Sequence, residues 1–189
     1  MTRIAILVGS IRPDSINLKL ARAIARLGPQ DWIWEHIDIH DLPLYNQDHD
    51  KAMPPQALRL KQRIEAADGL LFVTPEYNRS IPGVLKNAID TASRPYGKNS
   101  FAGKPAGVIG ASIGAIGTAV AQQHLRTVLA YLDVPALGQP EAFIHFKEGL
   151  IDAEATITNE GTREFVQRWV QTYRQFVETH VSRQAARTA

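Results

Sequence analysis

The sequence predicts an α/β chain in which a five-stranded parallel sheet is wound by helices on both faces. Apolar runs of strand length alternate with amphipathic stretches from one end of the 189 residues to the other. Two of these runs, residues 4–8 and 69–74, are apolar up to a closing Thr74, as strands buried on both faces are. Glycines, hydroxyls, prolines and an isolated arginine gather in the loops that follow strands, where open α/β sheets bind ligands.

Residues 4–8, Ile-Ala-Ile-Leu-Val, form the first strand, and Leu20, Ala21, Ile24 and Leu27 recur at the spacing of a first helix. A second strand spans 32–39, followed by a loop rich in Pro and Asp over 41–55 and a helix from about 56 to 67. The third strand is 69–74, and 80–94 is helical, with Pro82 in its first turn, where a missing N–H costs nothing. A fourth strand at 106–111, a helix at 117–132, a short fifth strand at 134–137 and a closing helix at 162–180 complete the series. Residues 182–189 lack large core-forming side chains and are expected to be a flexible tail to one domain, 1–181. Five strands in this length fit the doubly wound, flavodoxin-like order 2-1-3-4-5, with a crevice where strands 1 and 3 send the chain to opposite faces.

Composition narrows the chemistry. There is no cysteine, which excludes disulfides, thiolate catalysis and cysteine-held metal clusters, so any redox reaction needs a bound cofactor. The formal net charge is +2, with basic residues spread along the chain, and nucleic acid is not an expected partner. Residues 105–123 carry no charge, but four glycines together with Ser112, Thr118 and Gln122 break them, so no membrane span is expected. No basic-then-apolar leader precedes the first strand, and a cytoplasmic location is expected.

Residues 9–17 read Gly-Ser-Ile-Arg-Pro-Asp-Ser-Ile-Asn, between the first strand and the first helix. Ser10 and Ser15 offer hydroxyls, Asn17 an amide and Arg12 a planar fork of N–H donors, beside the free N–H groups of a helix start. The loop lacks both the Gly-x-Gly-x-x-Gly spacing of a dinucleotide turn and the ending of a P-loop, which favours a smaller phosphate. After the third strand, Pro75 and Pro82 stiffen a loop in which Tyr77 offers an aromatic face and Glu76, Asn78 and Ser80 offer polar groups, a frame for a flat heteroaromatic ligand. After the fourth, Gly114 and Gly117 let backbone approach a ring closely.

Three stretches then carry a resemblance. Gly9-Ser10-Ile11-Arg12 with Ser15-Ile16-Asn17, Pro75-Glu76-Tyr77-Asn78-Arg79-Ser80-Ile81-Pro82-Gly83 running on to Asp90, and Ser112-Ile113-Gly114-Ala115-Ile116-Gly117 resemble the NAD(P)H-dependent FMN reductases, a family that includes bacterial quinone and chromate reductases. The resemblance covers about residues 4–140 and implies a flavodoxin-like fold that binds FMN. It places Ser10, Arg12, Ser15, Ile16 and Asn17 at the phosphate, Pro75, Glu76, Tyr77 and Asn78 along the isoalloxazine, and Ser112 and Gly114 near its other side. Thr91 stands where many relatives carry tryptophan and Thr118 where they often carry glycine; both departures bear on a subunit contact or the substrate rim.

The expected reaction takes hydride from NADPH or NADH to FMN and passes electrons to a small-molecule acceptor such as free flavin, a quinone, an azo compound or chromate. No side chain is expected to act as an obligatory acid or base, and Glu76 is read as an acceptor that orders its loop. A flavodoxin-type electron carrier is the alternative, but such carriers are strongly acidic and use Thr/Ser-Gly-rich phosphate loops. A hydrolase on the same fold would need a partnered nucleophile or a metal. His36, Asp38 and His40 share one face of the second strand and its exit, and hydrogen-bonded histidines explain them better than a metal site. The helix after Gly117 is apolar around more than one face, and the resemblance implies a homodimer or homotetramer.

Overall fold

The computed structural model describes residues 1–188. Its elements in chain order are β1 (Arg3–Val8), α1 (Ile16–Leu27), β2 (Ile33–Ile37), a 3-10 turn (Gln47–Lys51), α2 (Pro55–Glu65), β3 (Gly69–Val73), α3 (Gly83–Ala92), β4 (Ala106–Ser112), α4 (Ala119–Tyr131), β5 (Phe143–His145) and α5 (Glu160–Thr188). The strands form one parallel sheet in the order β2-β1-β3-β4-β5, as the sequence predicts.

The period of two along each strand explains why the central runs are apolar throughout. From β1, Ile4, Ile6 and Val8 face α1 and α5, while Ala5 and Leu7 face α2, α3 and α4. β3 divides in the same way, Leu71 and Val73 to the first layer and Leu70 and Phe72 to the second. The α5 layer is pinned by Tyr173, fully buried, whose hydroxyl donates to the Leu70 carbonyl at 2.7 Å and whose ring stacks on Trp169.

Three elements differ from the sequence reading. The fifth strand is Phe143–His145 and not 134–137. The earlier segment makes a single bridge to β4, from Ala106 to Ala136, because Pro135 has no N–H to extend a ladder. β5 then pairs with the far half of β4, Gly110 to Ser112, so two short segments share one edge. Helix α3 begins at Gly83 with Pro82 as its N-cap, since residues 77–80 are held in a tight turn of their own. Helix α5 continues past His180 to Thr188, through residues read as a tail; Arg, Gln and Ala there are strong helix formers.

Gly110 is required where β4 passes the exit of β3. A Cβ at this position would fall on the Thr74 carbonyl oxygen and the Thr118 hydroxyl, both fixed in the interior. Gly110→Ala should therefore lower stability by about 1–3 kcal/mol, the usual result of overpacking. Urea unfolding followed by tryptophan fluorescence checks this, and an unchanged midpoint contradicts it.

Candidate active site

Hydrogen bonds bring the exits of β1, β3 and β4 side by side, Gly9 N–H to the Val73 carbonyl at 2.9 Å and Thr74 N–H to the Ile109 carbonyl at 3.0 Å. The three loops that follow, residues 9–15, 74–82 and 112–118, share one edge of the sheet.

In the first loop Ser15 caps α1, its Oγ accepting from Leu18 N–H at 3.2 Å, and the first turn of α1 holds no carboxylate. The backbone N–H groups of Ile16 and Asn17 have no acceptor among the described residues, so the positive end of α1 is open. The Arg12 N–H donates to Ser10 Oγ at 3.4 Å, while the exposed Arg12 guanidinium makes no ion pair or hydrogen bond among the described residues. Because Ser10 and Ser15 act only as acceptors here, each keeps its own O–H to donate outward.

Asn17 behaves differently from the sequence reading. Its side chain is buried, with Nδ2 donating to the Ala111 carbonyl and Oδ1 accepting from Ala111 N–H, both at 2.9 Å. The amide ties α1 to β4, and the backbone N–H is what Asn17 has left for a ligand.

In the second loop the Glu76 side chain is 7 % exposed. Its Oε2 accepts from Val120 and Ala121 N–H at 3.0 Å each, and its Oε1 lies 3.1 Å from Arg79 Nη1. Thr118, the N-cap of α4, makes no side-chain cap bond, so Glu76 caps that helix from another loop. This is the loop-ordering acceptor expected of it.

Tyr77 and Ser80 exchange both backbone hydrogen bonds at 3.0 Å, with Asn78 at φ 50° and Arg79 at φ 63° between them. That is the two-residue turn with both corners left-handed. It leaves the N–H groups of Asn78 and Arg79 without internal acceptors, beside a Tyr77 ring that is 51 % exposed. Pro75 is buried beneath the loop.

In the third loop Ser112 Oγ accepts from Gly114 N–H at 3.1 Å, and Gly117 N–H returns to the Gly114 carbonyl. Gly117 has φ +62°, and a Cβ there would meet the Phe143 backbone at 2.9 Å, so this turn needs glycine on both counts. Ile113 and Ile116 stand exposed at the loop's tip.

The two departures lie inside the molecule and not at a rim. Thr118 is buried and its Oγ1 accepts from Gln122 Nε2, which also donates to the Ala142 carbonyl. Thr91 is buried in α3 and lines a small cavity beneath residues 43–54, where its hydroxyl has no partner among the described residues. His40 Nδ1 lies 2.7 Å from Asp38 Oδ2 in an exposed pair, and the Asp38 carboxyl is held below its ordinary value chiefly by the His40 N–H. The described residues contain no group of three or more His, Cys, Asp or Glu able to hold a metal.

Sequence reasoning singled out neither Arg79 nor His124, whose Nδ1 lies 3.1 Å from Ser80 Oγ. No spacing signal marks them, because the Arg79 contact is made within the 77–80 turn and His124 reaches that turn from α4.

Glu76→Ala should cost about 0.5–2 kcal/mol, the range for a lost helix cap. Glu76→Gln, which keeps an acceptor oxygen, should recover most of it. Thermal unfolding of the two variants checks this, and equal losses would refute the capping role.

Comparison with known proteins gives these features a family. The family model described as NADPH-dependent FMN reductase matches residues 2–149. A 2-hydroxy-1,4-benzoquinone reductase from Burkholderia sp. is 53 % identical over 175 residues, 93 % of this chain and 96 % of that protein. A quinone reductase from Pseudomonas putida is 44 % identical over 176 residues, 93 % of this chain and 94 % of the relative. Among solved structures, the flavoenzyme NAD(P)H:(acceptor) oxidoreductase FerB from Paracoccus denitrificans superposes with a TM-score of 0.91 at 43 % identity, covering 95 % of this chain and 99 % of that one. On this evidence the chain belongs to the NADPH-dependent FMN reductase family.

Proposed function

We propose that this member of the family reduces quinones at the edge where the three loops meet, with FMN held by Ser10, Arg12, Ser15, the Ile16 and Asn17 N–H groups, Pro75, Glu76, Tyr77, Asn78, Ser112 and Gly114. The enzyme is an NAD(P)H-dependent oxidoreductase that uses FMN. The observation that carries the placement is the open positive end of α1, flanked by an unpaired arginine and two donor hydroxyls.

The donors fit the group by chemistry. A phosphate monoester is an anion rich in acceptors, and Arg12, two hydroxyls and two free N–H groups match it without competition from a carboxylate in the first turn of α1. A flavin ring offers a flat face and a polar rim, which Tyr77 and the free Asn78 and Arg79 N–H groups suit. What FMN supplies when bound is uptake of a hydride and release of the same electron pair. Overall, NAD(P)H and a proton convert a quinone to its hydroquinone and leave NAD(P)⁺.

The protein's own part is orientation. Glu76 fixes the 77–80 turn to α4, the Asn78 and Arg79 N–H groups stand ready for developing negative charge, and the exposed Tyr77, Ile113 and Ile116 form an apolar margin for a planar acceptor. Free flavin, azo compounds and chromate belong to the same proposal as further acceptors. So does residence in the cytoplasm; no described helix is long and apolar enough to cross a membrane.

The proposal also includes a homodimer or homotetramer. The outer faces of α3 and α4 flank a groove of about 610 Å³, and Tyr131 beside it is 82 % exposed. Sedimentation of the FMN-loaded protein should give an even oligomer, and a monomer at micromolar concentration would contradict this part.

Arg12→Ala should weaken FMN binding roughly ten- to a hundred-fold, the loss of one charge-assisted hydrogen bond or more, with apoprotein stability unchanged. Flavin fluorescence titration measures it. Equal affinity in variant and parent would remove Arg12 from the phosphate site.

A further inference from the structure

We propose that Arg79 is a specificity residue that makes this reductase favour anionic acceptors, so that a 2-hydroxyquinone is reduced in preference to a neutral quinone of the same size. The inference rests on the quinone-reductase reading above and adds the charge of the acceptor.

Arg79 occupies the second corner of the 77–80 turn at φ 63°. Asparagine tolerates this region at the first corner; arginine has no local compensation for it, and glycine is the usual occupant. A costly backbone state at a site residue points to a use for its side chain. The guanidinium is 68 % exposed, so most of its N–H donors face solvent.

One contact fixes the arginine without neutralising it. Nη1 lies 3.1 Å from Glu76 Oε1, but the carboxylate also accepts from Val120 and Ala121 N–H, so the α4 N-terminus shares its negative charge. Charges on the neighbouring elements largely pair among themselves or are absent. Lys86 pairs with Asp90 at 2.8 Å, and His124 faces Ser80. Loop residues 112–118 carry no charge, and the first loop carries Arg12 and Asp14, both exposed. Beside Ser80 runs a largely apolar groove of about 500 Å³ lined by Ser80, Ile81, Gly83, Lys86, His124 and Val128 among others.

An exposed forked cation on the loop that also presents Tyr77 fits a planar anion. A 2-hydroxyquinone is a vinylogous carboxylic acid, ionised at neutral pH, with its charge shared between the oxygens on C2 and C4, and a guanidinium fork can span the C2 oxygen and the adjacent C1 carbonyl. Such an acceptor gives the Burkholderia relative its name. The step balances: NAD(P)H gives a hydride, solvent gives two protons, and the 2-hydroxy-1,4-benzoquinone anion leaves as 1,2,4-trihydroxybenzene beside NAD(P)⁺.

The test compares 2-hydroxy-1,4-benzoquinone with its neutral analogue 2-methoxy-1,4-benzoquinone on the holoenzyme at pH 7 and saturating NAD(P)H. Arg79→Ala, which keeps the backbone N–H and removes the guanidinium, should lower the ratio of kcat/KM for the anion to that for the methoxy compound about ten-fold, as expected for one partly exposed charge-assisted contact. Arg79→Lys should recover part of the loss, and added salt should erode the preference of the parent enzyme. Calorimetric titration of the oxidised holoenzyme with the hydroxyquinone, without NAD(P)H, should show a matching loss of affinity in Arg79→Ala. An equal fall with both quinones, an unchanged ratio, or a change confined to the KM for NAD(P)H would overturn the assignment. Failure of the parent enzyme to oxidise NAD(P)H with either quinone would instead sink the quinone-reductase reading, while the calorimetric arm still reports whether Arg79 recognises the anion.

Discussion

The side-chain amide of Asn17 spans the exit of the central strand. It leaves α1, which follows β1, and takes both hydrogen bonds of Ala111 on β4, with β3 lying between those two strands. The loops after β1 and β4 are thereby held at a fixed separation, and the loop after β3 must emerge between them. An unsatisfied buried peptide group costs on the order of 1–3 kcal/mol, so this bridge resists opening at both of its ends. One asparagine thus reinforces, across β3, the spacing that the strand hydrogen bonds set at this edge.

Glu76 sets the remaining dimension. With α1 and β4 tied together, the β3 loop could still swing away from the sheet edge, but its carboxylate reaches α4 and satisfies two N–H groups that the local N-cap leaves open. A charge at a helix N-terminus, largely shielded from solvent, is a stronger tie than a surface ion pair. Two helices are therefore treated in opposite ways at the same edge. The N-terminus of α4 is closed by a carboxylate from within, and that of α1 is left with free donors. The difference is what singles out the α1 end as the proposed anion site.

Much of this was legible in the sequence. The apolar runs at 4–8 and 69–74 gave the central strands because both faces are buried, and the doubly wound order followed from alternation with helices. Residues 9–17 are proposed as a phosphate loop because Arg12 is a charge whose guanidinium has no partner among the described residues. The fifth strand was misplaced because Val134, Leu137 and their neighbours are as apolar as Phe143 and Ile144, and only the missing N–H of Pro135 separates a bridge from a ladder. The duty of Asn17 was hidden for another reason. Its partner lies 94 residues away, and no local spacing encodes a bond that only tertiary structure creates. Thr118 looked like a rim residue for the same reason, since its burial depends on Gln122 and on the close pass of Gly110.

Arg79 shows how these constraints converge on chemistry. A two-residue turn with both corners left-handed is rigid, and its free N–H groups point outward only while the corners hold that conformation. Asparagine at the first corner suits the turn; arginine at the second does not, and its retention there is intelligible if the side chain is paired from behind. Glu76 provides that pairing with the oxygen that α4 leaves free. One carboxylate thus caps a helix, steadies a strained turn and fixes the direction of a cation. Removing it would disturb all three at once, whereas changing Arg79 alters charge at the margin and leaves the helix cap in place. The separation between the two residues is what allows acceptor charge to vary without rebuilding the site.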